Sequence, residues 1–84
     1  MYFVYILKSK KNGKSYVGST SKLPEQRLSE HNLGSNVWTR YNGPFDLKYY
    51  ETFVCREDAL NREKFLKSGV GKKVKKILLE NLDP

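Results

Sequence analysis

The chain has one cysteine and one histidine in 84 residues, and nine acidic residues against sixteen Lys and Arg. Each scarcity excludes something. With Cys55 alone, no disulfide can form within the chain, and a reducing, cytoplasmic setting is expected. One His and one Cys, with no paired-ligand spacing, exclude a zinc site of the usual kind. No apolar run approaches the ~20 residues of a membrane span, so no span is expected and no membrane partner, an anionic membrane surface ranking second to nucleic acid on charge alone. No basic stretch followed by a long apolar one marks a secretory signal. There is no glycine-rich phosphate loop and no Ser-His-Asp pattern. Neither a repeat nor a linker divides residues 1–84, so one domain is expected. The shortage of acids leaves a formal net charge of +7. In so small a domain this points first to nucleic acid, whose phosphates give up counterions to lysine and arginine. A surface kept basic only for solubility is the plain alternative.

What is present is aromatic and strand-forming. Residues 2–9 (YFVYILKS) predict a strand. Asn12-Gly13 predicts a two-residue hairpin turn, because both residues tolerate positive φ, and residues 15–20 return as the second strand. That register puts odd residues of the first strand on the face of even residues of the second, so Tyr5, Tyr16 and Gly18 share a face, with open space beside the tyrosines. Pro24 opens a helix to about Asn32, with Arg27 and His31 projecting from one side. Residues 34–44 predict a loop rich in Gly, Ser and Asn that also holds Trp38, Arg40 and Tyr41. Trp38 there is either a contact surface or a cap on the core. Residues 45–53 alternate as a third strand, residues 57–68 form a second helix closed by Gly69, and residues 72–82 form a third. Ala59, Glu63, Leu66 and Val70 fall on one stripe, where a carboxylate among apolar residues calls for a partner or a metal. Val74, Ile77, Leu78 and Leu82 are expected to face inward, and Lys72, Lys73, Lys75 and Lys76 outward. The order ββαβαα implies an α+β fold, a three-stranded antiparallel sheet with flanking helices.

Tyr5, Tyr16, Arg27, His31 and Glu63 are the polar residues of interest, drawn from three elements. Taken singly, each has an ordinary reading: strand aromatics, a surface charge, a helix-end cap, an ion pair of Glu63 with Lys67. Together they carry a resemblance. Val4-Tyr5-Ile6 and Tyr16-Val17-Gly18 resemble the two halves of the motif that names the GIY-YIG nucleases, with Val4 in place of the first glycine. Arg27-Leu28-Ser29-Glu30-His31-Asn32 is similar to the family's helix motif, and Ala59-Leu60-Asn61-Arg62-Glu63 to the helix bearing its metal-binding glutamate. Thr39-Arg40-Tyr41-Asn42-Gly43-Pro44, with Leu47 and Tyr49-Tyr50-Glu51, resembles the small stand-alone bacterial subgroup.

The resemblance implies a metal-dependent endonuclease acting on DNA, with RNA as the less expected partner, and on branched, flapped or damaged DNA in particular. Tyr16 is then the general base. A free tyrosine has a pKa of about 10, so a tyrosine base needs positive charge nearby to act near neutral pH. Arg27 supplies charge and clamps the scissile phosphate. Glu63 holds one Mg2+ or Mn2+ ion. Tyr5 and His31 position the phosphate or the water, and His31 can shuttle a proton. Lys14, Lys22, Arg40, Lys64, Lys67, Lys72, Lys73, Lys75 and Lys76 are candidates to track the nucleic-acid backbone. A monomer is expected, with a targeting protein as a further partner. The assignment requires Tyr16 and Arg27 to be neighbours and Glu63 to face the same cleft. If Tyr16 lies on the sheet face opposite Glu63, the catalytic assignment fails even where the fold holds. Two other readings stand beside it: a non-catalytic nucleic-acid-binding module of the same fold, and a small basic structural protein.

Overall fold

The computed structural model describes residues 1–82, with side chains through residue 81. Seven elements follow in order: β1 (Tyr2–Ser9), β2 (Ser15–Thr20), α1 (Pro24–Asn32), α2 (Val37–Asn42), β3 (Phe45–Phe53), α3 (Arg56–Lys67) and α4 (Gly69–Leu82). The three strands form an antiparallel sheet in the order β2-β1-β3. The expected α+β fold is therefore present, with one more short helix. Among the described residues no helix is long and apolar enough to cross a membrane.

β1 is central and covered on both sides, which is why Val4, Tyr5, Ile6 and Leu7 are all buried in succession. Its two faces open onto separate cores. Val4 and Ile6 join Val17, Ala59 and Leu66 beneath α3 and α4. Tyr5 and Leu7 join Phe45, with Tyr16, Leu28, Trp38 and Leu47 packed against them, beneath α1 and α2.

The hairpin is wider than expected. Ser9 N–H donates to the Lys14 carbonyl, so residues 10–13 form a four-residue loop, and only Gly13 has positive φ (74°). Ser9 Oγ accepts the N–H groups of Lys11 and Asn12, which a tight Asn-Gly turn would leave elsewhere. Pairing is Tyr5 with Gly18 and Leu7 with Tyr16, two residues from the expected register. A shift of two keeps every side chain on its face, so Tyr5, Tyr16 and Gly18 do share one. The space beside Gly18 is not open, however. A Cβ there would lie 2.4 Å from Tyr5 Oη, because the phenol lies across the glycine.

β3 holds a bulge. Ile6 pairs with Tyr49 but Leu7 pairs with Leu47, leaving Lys48 as the extra residue. The plain alternation of FDLKYYETF would put all its odd residues on one face. The bulge instead sends Tyr49 and Phe53 to the α3–α4 core, and Phe45 and Leu47 to the α1–α2 core.

Three helical expectations are corrected. Residues 37–42 form α2 within the expected loop, because the Asn36 side chain caps it, with Oδ1 accepting Thr39 N–H at 2.8 Å. Gly69 does not close the helix before it but begins α4. Ser68 sits between the two, its Oγ accepting Gly71 N–H at 3.1 Å as a cap does. Gly71 lets the corner close, since a Cβ there would lie 1.6 Å from the Phe65 carbonyl oxygen. Val70 and Ile77 are exposed, at 68% and 57%, whereas Val74, Leu78 and Leu79 meet the core. Starting α4 at residue 69 leaves that face to residues 74, 78 and 79. The expectation for Leu82 lies outside the described side chains.

Candidate functional site

α1 brings two residues to the Tyr5 face. Pro24 and Glu25 suit its first turn, and Gln26 Oε1 accepts Leu23 N–H at 3.2 Å to close it. One turn apart, Arg27 and His31 point back toward the sheet. At the far end Asn32 ties the helix to β3: its Oδ1 accepts Phe45 N–H at 2.8 Å and its Nδ2 donates to the Phe45 carbonyl at 3.4 Å. The asparagine of the helix motif thus has a structural task.

His31 is the hub. It is 0% exposed, and its Nε2 meets Tyr5 Oη at 2.8 Å and Arg27 Nη2 at 3.2 Å, while Ser35 Oγ lies 3.0 Å from Nδ1. A guanidinium has only donors, so Nε2 accepts and Nδ1 carries the proton, which it gives to Ser35. Burial, and then the Arg27 charge, push the imidazole down to about 4, so it is neutral near pH 7. Burial raises the Tyr5 phenol, with Arg27 opposing. Tyr5 is therefore a neutral donor. Being fully buried, His31 has no direct reach to a substrate phosphate. It meets Arg27 and Tyr5 instead.

Tyr16 stacks near this hub, with ring centroids 4.8 Å from His31 and 5.6 Å from Trp38. Arg27 and Tyr16 are thus neighbours through His31. Asn36 Nδ2 donates to Tyr16 Oη at 3.4 Å, a contact from the helix cap that sequence reading missed. The Asn36-x-x-Thr39 capping pattern was the available signal. Trp38 both lies over Phe45, 5.7 Å between centroids, and lines an open groove, so its two expected readings meet in one residue.

Glu63 arrives from the other side. α3 covers the opposite face of the sheet from Tyr16, so at the level of the helix the single-cleft condition set for the catalytic assignment is not met. The carboxylate does not stay beneath that face. Because β2 is an edge strand, Glu63 reaches its border: Ser19 Oγ donates to Oε1 at 2.5 Å, and Lys67 Nζ donates to Oε2 at 2.6 Å. Lys67 Nζ in turn lies 6.0 Å from the centre of the Tyr16 ring. Glu63 is also close enough to Tyr5 to add to the rise of its phenol. The two halves meet around the edge of β2, not within one face. Arg62, one residue earlier, anchors the helix. Its Nε and Nη2 hold both oxygens of Glu51 at 2.9 and 3.0 Å, and Tyr49 Oη donates to the same carboxylate at 2.5 Å.

The charged ends of the site are internally paired. Arg27 Nη1 bonds Glu30 Oε1, and Lys22 Nζ holds the other oxygen of Glu30 at 2.6 Å. Of the basic candidates, Lys67, Lys72 and Lys75 line a groove of about 350 Å3 with Tyr16 and Trp38. Burial, and then Lys72, depress the Lys75 ammonium. Lys22 joins the site through Glu30. Arg40 lines a different hollow with Asn32, Leu33 and Pro44. Lys14, Lys64, Lys73 and Lys76 are exposed and line none of these hollows, Lys76 facing Glu80 at 4.0 Å.

Comparison with known proteins follows the same outline. The family described as the GIY-YIG catalytic domain matches residues 1–77. A UPF0213 protein of Clostridium perfringens is 41% identical over 80% of this chain and 71% of its own length. A UPF0213 protein of Bacillus pumilus is 34% identical over 86% of this chain and 72% of its own. One of Staphylococcus saprophyticus is 32% identical over 94% of this chain and 95% of its own. No solved structure matches.

Proposed function

This chain belongs to the GIY-YIG family of nuclease catalytic domains, and on that premise we propose that it is a metal-dependent endonuclease hydrolysing DNA phosphodiester bonds. The observation that carries the reading is the meeting at the β2 edge. Arg27 from one layer reaches the Tyr16 ring through His31, and Glu63 from the other reaches it through Lys67.

Among the described residues no three His, Cys, Asp or Glu side chains gather as a metal cage. Glu63 alone fits an ion that keeps waters and takes further oxygens from the substrate, as Mg2+ and Mn2+ do. Such an ion, when bound, neutralises charge on the phosphate and the leaving oxygen. Glu63 would exchange Lys67 for it. Arg27 would exchange Glu30 for a phosphate oxygen, keeping its second nitrogen on His31. Tyr16 takes the proton of the attacking water. Asn36 Nδ2 donates to the Tyr16 oxygen, and Lys67 Nζ lies 6.0 Å from the centre of its ring. Tyr5 and neutral His31 hold Arg27 in place. The Lys67, Lys72 and Lys75 groove holds the backbone beyond the cut.

We read the enzyme as a cytoplasmic monomer that nicks one strand, with a targeting protein supplying selectivity and branched, flapped or damaged DNA ranked first among substrates. A second reading is a DNA-binding module, favoured by the lysine groove, which needs no metal. Both are tested by incubating supercoiled plasmid and labelled flap, fork and junction DNA with Mg2+ or Mn2+, with EDTA, and with Glu63→Ala. Nicking that needs metal and vanishes in Glu63→Ala supports the enzyme. Shifted but uncut DNA, indifferent to Glu63→Ala, supports the module.

A further inference from the structure

A further cavity, of about 320 Å3, opens beside Ser19, whose hydroxyl holds Glu63. Ser19, Thr20 and Ser21 at the end of β2 form one wall. Arg56, Ala59 and Leu60 on the first turns of α3 form another, and Tyr2 contributes an aromatic side. Ser19 belongs to both places, since its hydroxyl donates to Glu63 Oε1.

The chemistry of this cavity is one-sided. Arg56 is exposed and has no ion pair or hydrogen bond among the described residues. The Ser21 hydroxyl is equally uncommitted, and Thr20 Oγ1 accepts Lys22 N–H while keeping its proton to donate. Arg56, Leu60, Glu63 and Lys67 follow one another at helical spacing on a single stripe of α3. Glu57 and Asp58 turn away from it by about 100° and 200°. Along the helix axis Arg56 stands about 10 Å before Glu63, too far for the two to share one phosphate. On the far side of Glu63 the stripe continues into Lys67 and its groove. A strand lying along the β2 edge would therefore meet cationic donors on both sides of the carboxylate.

We propose that this cavity is the subsite for a nucleotide flanking the scissile bond, with Arg56 holding its phosphate, the Thr20 and Ser21 hydroxyls its remaining oxygens, and Tyr2 and Leu60 its sugar. This rests on the nuclease reading above. It adds a contact outside the lysine set and gives the bound strand two defined sides.

The test uses the full chain and a synthetic duplex whose cut position has been mapped with the unaltered protein and Mg2+. Each linkage near the cut is replaced in turn by a neutral methylphosphonate. One neutral linkage on one side of the cut should slow the unaltered protein by about tenfold. Arg56→Ala should be about tenfold slower on the unmodified strand and lose no more than about twofold further from that linkage. Equal cutting by Arg56→Ala and the unaltered protein at every linkage overturns the proposal and leaves the nuclease reading standing. If the unaltered protein cuts nothing, the nuclease reading fails separately, and binding decides the subsite. Fluorescence anisotropy in EDTA across a salt series should then show Arg56→Ala weakened, its salt slope reduced by about one relative to Lys10→Ala. A slope matching that of Lys10→Ala overturns it.

Discussion

At the scale of single residues, Gly18 and Tyr5 leave no room between them. A methyl group on Gly18 would strike the phenol 2.4 Å away, and overpacking of that kind costs about 1–3 kcal/mol. Gly18→Ala should therefore lower the thermal midpoint. Tyr5→Phe should cost less in the Gly18→Ala background than alone, which a double-mutant cycle reads directly. His31 sets a second expectation. Its folded pKa of about 4 lies below the free value near 6.5. Between those values the unfolded chain binds the proton and the folded chain does not, so stability is full above pH 6.5 and falls as pH drops toward 4. The slope can reach about 1.4 kcal/mol per pH unit for one proton. Glu30 and Glu51, both lowered, act only below their free range near 4.5. Urea melts at pH 7, 6 and 5 should show the fall in the native chain and a flatter profile in His31→Gln. The residue types were legible because the motif names them. Their roles were less so, since a linear motif carries no burial and cannot show that His31 is sealed behind Arg27.

Elements were legible where pattern and termination agreed, and misread where one residue type has two uses. Pro24 and the Leu33-Gly34 end bounded α1 as expected. Gly34, Asn36 and Gly43 read as loop residues, but Asn36 is also a cap, and a six-residue helix needs little more. Gly69 read as a terminator, although the glycine that matters is Gly71, where two backbones touch. Gly71→Ala should open the α3–α4 corner and cost about 3 kcal/mol or more, visible as a lost or broadened melting transition. The clamp of Arg62 on Glu51 belongs to this scale too, since it joins α3 to β3 by charged hydrogen bonds worth about 1.5–3 kcal/mol each at best. Both partners are partly exposed, so the lower end applies. Arg62→Ala should lower stability by about 1–2 kcal/mol. It should also slow cutting at saturating DNA, because Glu63 is the next residue on the loosened helix. A rate loss without any stability loss would contradict the positioning argument.

For the whole molecule, the sheet order was the missing piece. The unbroken apolar run of β1 is the one hint in the strand sequences that it is central, and with β1 at the edge the two tyrosines and Glu63 could not meet around β2. The hydrophobic patterns separate two faces, so they suggest that groups on opposite faces stay apart. The net charge of +7 makes a further expectation at this scale. DNA affinity should fall steeply with salt, and removing Lys72 and Lys75 together should reduce the logarithmic salt slope by about two. Titrations of the double variant across a salt series check this, and an unchanged slope would place the DNA elsewhere. The arrangement at the β2 edge also has a temporal side. Arg27 and His31 ride on one layer, Glu63 on the other, and only the sheet between them is common to both. An opening of either layer, even a brief one that leaves most of the chain folded, dismantles the whole constellation. The lifetime of the competent state is then set by whichever layer loosens first, so hydrogen exchange in α1 and α3 becomes a clock for how long a bound strand has in which to be cut.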